Sequence, residues 1–236
     1  MNFYKGEIFS IDKPYGMTSF GALAHIRYVL SRRLKIKRVK IGHAGTLDPL
    51  ATGVLILCTG RATKQIEQLQ SHTKEYTCTI QLGATTESYD REHTVNATYP
   101  TNHITLDRIE EILKQFIGDI RQTPPTYSAC KVGGERAYAL RRSGEAVVLK
   151  PKTVRIDTIE TIGFDRAEMQ LSLRIVCGKG TYIRALARDI GRALGSGAFL
   201  LSLRRTKVGS AWVENSINFD RFEEWLNQQE IEEDQQ

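Results

Sequence analysis

Gly42-His-Ala-Gly-Thr-Leu-Asp-Pro-Leu-Ala-Thr-Gly53, followed at once by Val54-Leu-Ile-Leu-Cys58, is the stretch on which the reading of this chain turns. Three glycines and a proline in twelve residues mark a backbone built for shape, since glycine admits positive φ and close approach of a partner. Asp48 precedes Pro49, and the proline ring disfavours the α region for it, so a short carboxylate is held extended. The apolar run that follows reads as a buried strand anchoring the loop. A carboxylate is therefore presented from a stiff loop tied to a core strand.

Working outward, Glu7–Asp12 reads as a short strand and Lys13–Gly16 as a turn, with Ser19 set to cap a helix through Phe20, Leu23, Ile26 and Leu30. Ala62–Leu69 predicts a short helix, and Tyr76–Leu82 alternates as a half-buried strand does. Thr101–Gly118 predicts the clearest helix, with Ile109, Ile112, Leu113 and Phe116 on one face and Gly118 as its C-cap. Pro124–Gly134 reads as a loop and Arg136–Ser143 as a helical segment. Val154–Phe164 and Met169–Cys177 predict a strand pair. The next helix, from near Thr181 to Gly195, turns Ile183, Leu186, Ala187, Ile190 and Leu194 inward and leaves Arg188 and Arg192 on its polar side. Strands and helices follow no regular βαβ rhythm, which predicts an α+β fold with a mixed, mostly antiparallel sheet flanked by helices. One domain is expected over residues 1–215, with 216–236 as a short acidic C-terminal tail.

At 236 residues, 41% hydrophobic and 25% charged, the chain has enough core to need no disulfide or metal. Cys58, Cys78, Cys130 and Cys177 are widely spaced, with no CxxC or Cys/His ligand pair, and read as buried thiols of a reducing compartment. No signal peptide and no stretch near ~20 apolar residues appears, so no membrane association is expected and the cytoplasm is the default. The net charge of +6 is unevenly spread. Residues 220–236 hold seven acids and one base, leaving 32 bases against 20 acids, or +12, in residues 1–219. Such a body attracts polyanions. Ser31–Lys40 packs six bases into ten residues. Alone it reads as a solvated face; just ahead of the Asp48 loop it becomes a phosphate-contacting rim of Arg32, Arg33, Lys35, Lys37 and Arg38, with Lys13 and Lys64 counted among its phosphate contacts.

No GxxxxGK[ST] and no GxGxxG opening a helix is present, which argues against nucleotide and dinucleotide sites. The five histidines lack ligand spacing, so no metal and no cofactor is expected. A second segment, Cys177-Gly-Lys-Gly-Thr-Tyr-Ile-Arg184, joins a strand end, a glycine turn and a helix start. An arginine from it would keep Asp48 ionised and oriented. On this spacing alone, a structural Asp–Arg pair closing a loop is the stronger reading. Tyr76 and Tyr182 suit either core aromatics or stacking platforms for a base.

At these residues the chain strongly resembles the TruB family of tRNA pseudouridine synthases. The match includes Asp12-Lys-Pro-Tyr-Gly-Met-Thr-Ser19, the Gly42–Gly53 loop, Lys74-Glu-Tyr76, Pro124-Pro-Thr-Tyr-Ser-Ala129, Gly178–Arg184 and Leu203-Arg-Arg205, in the family's order. The resemblance implies the pseudouridine synthase catalytic fold and isomerisation of the T-loop uridine at tRNA position 55, without a cofactor, by a monomer that needs no protein partner. It implies that Asp48 is the catalytic aspartate, that Tyr76 stacks on the target base, and that Arg184 pairs with the aspartate. It further implies that His43 holds the T-loop in its flipped form, that Leu203 lines the pocket, and that Tyr182 supports the site.

The chain departs from the family in places. Thr86–His93 keeps one family acid, Asp90, expected to join the arginine network, but lacks a closing glycine, which puts the local turn in question. Many relatives carry a C-terminal RNA-binding PUA domain, and too few residues follow Gly209 for a complete one. Two other readings stand beside the main one: a guide-RNA-dependent relative that modifies rRNA, and a catalytically silent RNA-binding module.

Overall fold

The computed structural model describes residues 1–128, 130–132, 135–136 and 149–232. The helical segment expected over Arg136–Ser143 lies outside them, apart from Arg136. The strands are β1 (Ile8–Lys13), β2 (Ile41–His43), β3 (Ala51–Thr59), β4 (Lys74–Leu82), β5 (Ala84–Thr86), β6 (Val95–Thr98), β7 (Gly118–Gln122), β8 (Lys131–Val132), β9 (Glu135–Arg136), β10 (Lys152–Asp165), β11 (Gln170–Cys177), β12 (Ala198–Val208), β13 (Ala211–Trp212) and β14 (Ile217–Asn218). Ten of them form one sheet in the order β14-β1-β3-β12-β4-β11-β10-β7, with β2 on β3 and β13 on β12. The β1–β14 pair is parallel, whereas β1–β3, β2–β3, β7–β10, β10–β11 and β12–β13 are antiparallel. The expected mixed, mostly antiparallel sheet with flanking helices is what forms.

The described chain divides into two compact units. The first comprises Met1–Tyr76 and Arg204–Gln236. Its central strand β3 is buried on both faces, which is why Val54–Cys58 is apolar without alternation. Leu55 and Leu57 enter one core with Ile11 and with Leu23, Ile26 and Leu30 of helix α1 (Ser19–Arg33). Val54, Ile56 and Cys58 enter another, with Ala62, Val208 and Val213. The cap of α1 is Thr18, whose hydroxyl accepts from the Gly21 amide at 2.9 Å; Ser19, expected as the cap, is the first helical residue. Residues 60–71 form a 3-10 turn, Gly60–Gln65, running into helix α2 (Ile66–Ser71).

The C-terminal stretch joins this unit as structure. β14 runs parallel to β1, and Phe219, Phe222 and Leu226 lie in the same core as Ile11. Phe9 stacks on Phe222 at 5.9 Å and on Trp225 at 6.1 Å. The acids Glu223 and Glu224 stay on the exposed side. This segment is acidic where it meets solvent and apolar where it meets the core.

The second unit is Thr77–Leu203. Here β10 is flanked by β11 and β7, and β5 and β6 form a separate hairpin. Helix α3 is shorter than the pattern predicts, Leu106–Leu113, because the Thr105 hydroxyl caps it at Arg108. It tightens into a 3-10 turn over Lys114–Phe116, and Gly118, at φ +100°, opens β7 instead of closing the helix. Helix α4 (Ile183–Ala193) buries Ile183, Leu186, Ala187 and Ile190 as expected. Arg188, expected on the polar side, is also buried. Its guanidinium meets the Asp189 carboxylate at 2.8 and 3.1 Å, donates to the Thr123 carbonyl at 3.0 Å and lies 5.0 Å over the Tyr89 ring.

Candidate active site

Asp48 lies in the first unit on the loop between β2 and β3, half-buried. Its neighbours are tied down by backbone contacts on both sides. Ser19 Oγ donates to the Leu47 carbonyl at 2.9 Å and accepts from the Leu47 amide at 2.8 Å. The Pro49 carbonyl accepts from the Gly16 amide at 3.0 Å and lies 3.4 Å from Lys13 Nζ. The Ala51 amide donates to the Asp48 carbonyl at 3.1 Å. The loop is braced at residues 47, 49 and 51, so the carboxylate between them has little freedom to wander.

Two residues of β12 complete the brace. The Arg205 side chain is almost wholly buried; Nε donates to the Val54 carbonyl at 2.7 Å and a terminal nitrogen to the Gly45 carbonyl at 3.1 Å. Gly53, at φ +105°, has the Arg205 backbone so close that a Cβ would lie 2.2 Å from its carbonyl oxygen. That position admits only glycine. Arg204, one residue earlier, grips the Asp12 carboxylate with two hydrogen bonds, 2.7 and 3.1 Å, and reaches Thr52 Oγ1 at 3.2 Å. Bidentate geometry of this kind fixes orientation as well as distance.

Lys13, counted among the RNA contacts on sequence grounds, is fully buried, so it does not offer its ammonium at the surface. It donates to the carbonyls of Pro14 at 2.8 Å and Met17 at 2.6 Å. Burial pulls it down to about 8; the negative charge of Asp48 opposes that shift, the Arg205 charge adds to it, and Asp12 opposes it. The cation therefore serves the field and geometry around Asp48. Tyr76, at the end of this unit, is 8% exposed on the inward face of β4. Beside it Glu75 accepts from the Thr206 hydroxyl at 2.9 Å. His43 ends β2, opposite Leu57 of β3.

The remaining basic residues are exposed on the first unit. Arg32 and Arg33 close α1, and Arg32 lies 5.6 Å over the Tyr28 ring. Lys35, Lys37 and Arg38 follow on the turn, with Lys35 at φ +52°, and Lys64 sits on the 3-10 turn after β3.

In the second unit, Arg184 is 3% exposed at the start of α4. Its Nε lies 3.6 Å from Asp90 Oδ2, and its terminal nitrogens donate to the Ser88 carbonyl at 3.1 Å and the Tyr127 carbonyl at 2.9 Å. The Asp90 turn closes without the family glycine: Ser88 Oγ donates to Asp90 Oδ1 at 2.5 Å, Thr86 Oγ1 to the Asp90 carbonyl at 2.6 Å, and Tyr89 takes the positive φ of +61°. Asp90 and Arg184 thus face each other within the second unit. Tyr182 sits one residue ahead of α4, held by Gln122, which accepts from its amide at 2.9 Å and donates to its carbonyl at 3.2 Å. Leu203, on β12, is 9% exposed.

Among the described residues no group of three or more His, Cys, Asp or Glu gathers as metal ligands do, and no helix is long and apolar enough to cross a membrane. Burial pushes the Cys58 thiol up to about 11 and Cys78 up to about 12, keeping both protonated; Cys130 is only partly buried. Sequence reasoning missed Ser19, Arg204 and Arg205 as loop supports, although the Leu203–Arg205 motif and the Asp12–Ser19 motif contain all three.

A family model described as TruB family pseudouridylate synthase, N-terminal domain, matches residues 32–183, and one described as tRNA pseudouridylate synthase B C-terminal domain matches 184–236. The fold is thus that of a pseudouridine synthase. The chain belongs to the TruB family. It is 57% identical to a Bacteroides fragilis protein named tRNA pseudouridine synthase B, covering 98% of this chain and 99% of that one. It is 46% identical to a protein of the same name from Flavobacterium johnsoniae, over 95% of this chain and 97% of the relative. Among solved structures it resembles a chain in a Cbf5-Nop10-Gar1 complex, with a TM-score of 0.68 and 28% identity, covering 95% of this chain and 56% of that one.

Proposed function

We propose that this protein isomerises the T-loop uridine at position 55 of tRNA to pseudouridine, with Asp48 as the catalytic carboxylate. The observation that carries the reading is the bracing of Asp48 at Leu47, Pro49 and Ala51, beside a buried ammonium, in a chain related over nearly its full length to bacterial proteins named tRNA pseudouridine synthase B. The reaction breaks the bond from C1′ to N1 of the uracil and forms one from C1′ to C5, with loss of the C5 proton and gain of one at N1. An ionised carboxylate held at the glycosidic bond serves it either by attacking the nucleotide or by taking a ribose proton. Neither route needs a cofactor.

The target must leave the loop stack to be reached, at a cost of a few kcal/mol, and stacking on Tyr76, about 1–3 kcal/mol, offsets part of it. His43 holds the flipped loop, Leu203 excludes water from the detached base, and Arg184, Tyr182 and Asp90 support the site. The exposed bases Arg32, Arg33, Lys35, Lys37, Arg38 and Lys64 supply phosphate contacts whose strength falls with salt. We infer a catalytic domain over 1–215, acting in the cytoplasm as a monomer without a protein partner.

The test is purified protein on unmodified tRNA with no guide RNA. Wild type is expected to form pseudouridine, and Asp48→Asn to form none while binding tRNA within a few-fold of wild type. Activity surviving in Asp48→Asn rejects the catalytic assignment. A requirement for a guide RNA favours the guided reading, which the likeness to a chain of the Cbf5-Nop10-Gar1 complex keeps in view. Binding by wild type without isomerisation favours a silent module.

A further inference from the structure

Helix α1, strand β2 and helix α2 wall an open groove of about 610 Å³ in the first unit. That volume falls in the ~300–1,000 Å³ range of small-ligand pockets. Phe20, Arg27, Arg38, Lys40, His43 and Ile66 line it, and no carboxylate does. Phe20 is 68% exposed, the most exposed large apolar side chain among the described residues. Arg27 lies seven residues further along α1, on the same helical face. Its Nε is out of solvent and has no hydrogen-bond partner among the described residues. Arg38 and Lys40 are exposed, and their side chains form no ion pair among the described residues. Gly42 shapes the wall, since a Cβ there would lie 2.6 Å from Ile66 Cδ1. The chain runs from this wall straight into the loop that carries Asp48.

An open aromatic face with three cations and no acid suits a stacked base carrying phosphates. We propose that the groove is a second nucleotide subsite: it takes a nucleotide of the substrate RNA near the reacting uridine, its base on Phe20 and its phosphates on Arg27, Arg38 and Lys40. The inference rests on the proposed RNA-modifying function and adds a specificity element to it. The reacting base goes to Asp48 and Tyr76, and a second nucleotide is read here. A protein ligand would find three charges to neutralise and no acid to pair with.

The experiment measures tRNA binding and steady-state pseudouridine formation in parallel for Phe20→Ala, Phe20→Tyr and Arg38→Gln. Phe20 is exposed, so its replacement leaves the fold intact. Phe20→Ala is expected to weaken binding and raise KM about tenfold or more while kcat at saturating tRNA moves less than about twofold, and Phe20→Tyr to restore both. Arg38→Gln is expected to lower the slope of log K against log salt by about one. A series of T-arm hairpins, each with one abasic nucleotide, then identifies the occupant, because at that position Phe20→Ala has no further effect. The subsite is rejected if Phe20→Ala binds tRNA as wild type does and no abasic position couples to it. Failure of wild type to form pseudouridine rejects the proposed function instead, while the binding arm still reads the groove.

Discussion

The Ser19 hydroxyl and the Leu47 peptide exchange two hydrogen bonds, one in each direction, at 2.9 and 2.8 Å. A side chain at the first turn of α1 thereby satisfies both backbone groups of the residue before Asp48. Ser19→Ala removes both bonds and strands a buried amide and a buried carbonyl. Each stranded group costs about 1–3 kcal/mol, so denaturant unfolding should show a loss of about 2–6 kcal/mol. If the brace positions the carboxylate, kcat should fall while tRNA affinity stays near wild type.

Gly53 and Gly16 both have positive φ, but only Gly53 meets another backbone. A Cβ at Gly16 has nothing within 4 Å, while one at Gly53 lies 2.2 Å from the Arg205 carbonyl oxygen. Gly16→Ala should cost about 1–2 kcal/mol from backbone conformation alone. Gly53→Ala adds a displacement of β12 and should cost about 3 kcal/mol or more. Equal losses in a urea titration would reject the close approach as the reason for the glycine.

Lys13 links stability to pH with a definite sign. Its folded pKa, about 8, is below its unfolded value near 10.5. Between those values the unfolded chain binds more protons, so this residue makes stability rise as pH increases from about 8 to 10.5, with a slope of at most about 1.4 kcal/mol per pH unit. Below pH 8 the buried charge is a constant penalty. Unfolding free energies measured across that window should rise less steeply in Lys13→Met than in wild type. Parallel curves for the two proteins would remove Lys13 as the source.

Asp90 and Arg184 are both nearly inaccessible, and the arginine also donates to the carbonyls of Ser88 and Tyr127. Asp90→Ala leaves a buried cation short of its countercharge, which typically costs about 3–5 kcal/mol. Thermal unfolding of this variant against Asp157→Ala, at an exposed pair on β10, should separate buried from surface pairing.

Phe222 is fully buried in the core shared with Ile11 and Phe9. Phe222→Ala should lose about 3–5 kcal/mol, and the exposed Glu223→Gln beside it less than about 0.5 kcal/mol. An acidic tail without structural weight would show neither loss.

The loop, its following strand and the sheet class were legible because their signals are local: glycines, Asp48 before Pro49, an apolar run, and alternation in β4 and β11. What escaped was decided by partners distant in sequence. Ser19 looks like a cap until Leu47, 28 residues on, takes its hydroxyl. Arg205 stands in the sequence only as part of the Leu203–Arg205 motif, yet the carbonyls of Gly45, in the Asp48 loop, and Val54, on β3, hold it inward. Lys13 reads as a surface base, yet it is buried. The C-terminal acids dominate local composition and mask the spacing of Phe219, Phe222 and Leu226, which was visible as one helical face. The shortened α3 starts at its Thr105 cap and ends where the chain tightens into the 3-10 turn at Lys114.

The unit that carries Asp48 is assembled from two stretches of chain separated by the whole of the second unit. During synthesis, β1, α1 and β3 emerge first, but the arginines that brace the loop and the phenylalanines that fill its core are made only after residue 203. The second unit is continuous and free to fold while those residues are still inside the ribosome. A nascent chain therefore holds all of the Gly42–Gly53 loop long before it holds the parts that stiffen it. The brace around Asp48 closes last, once the C-terminal stretch has been made.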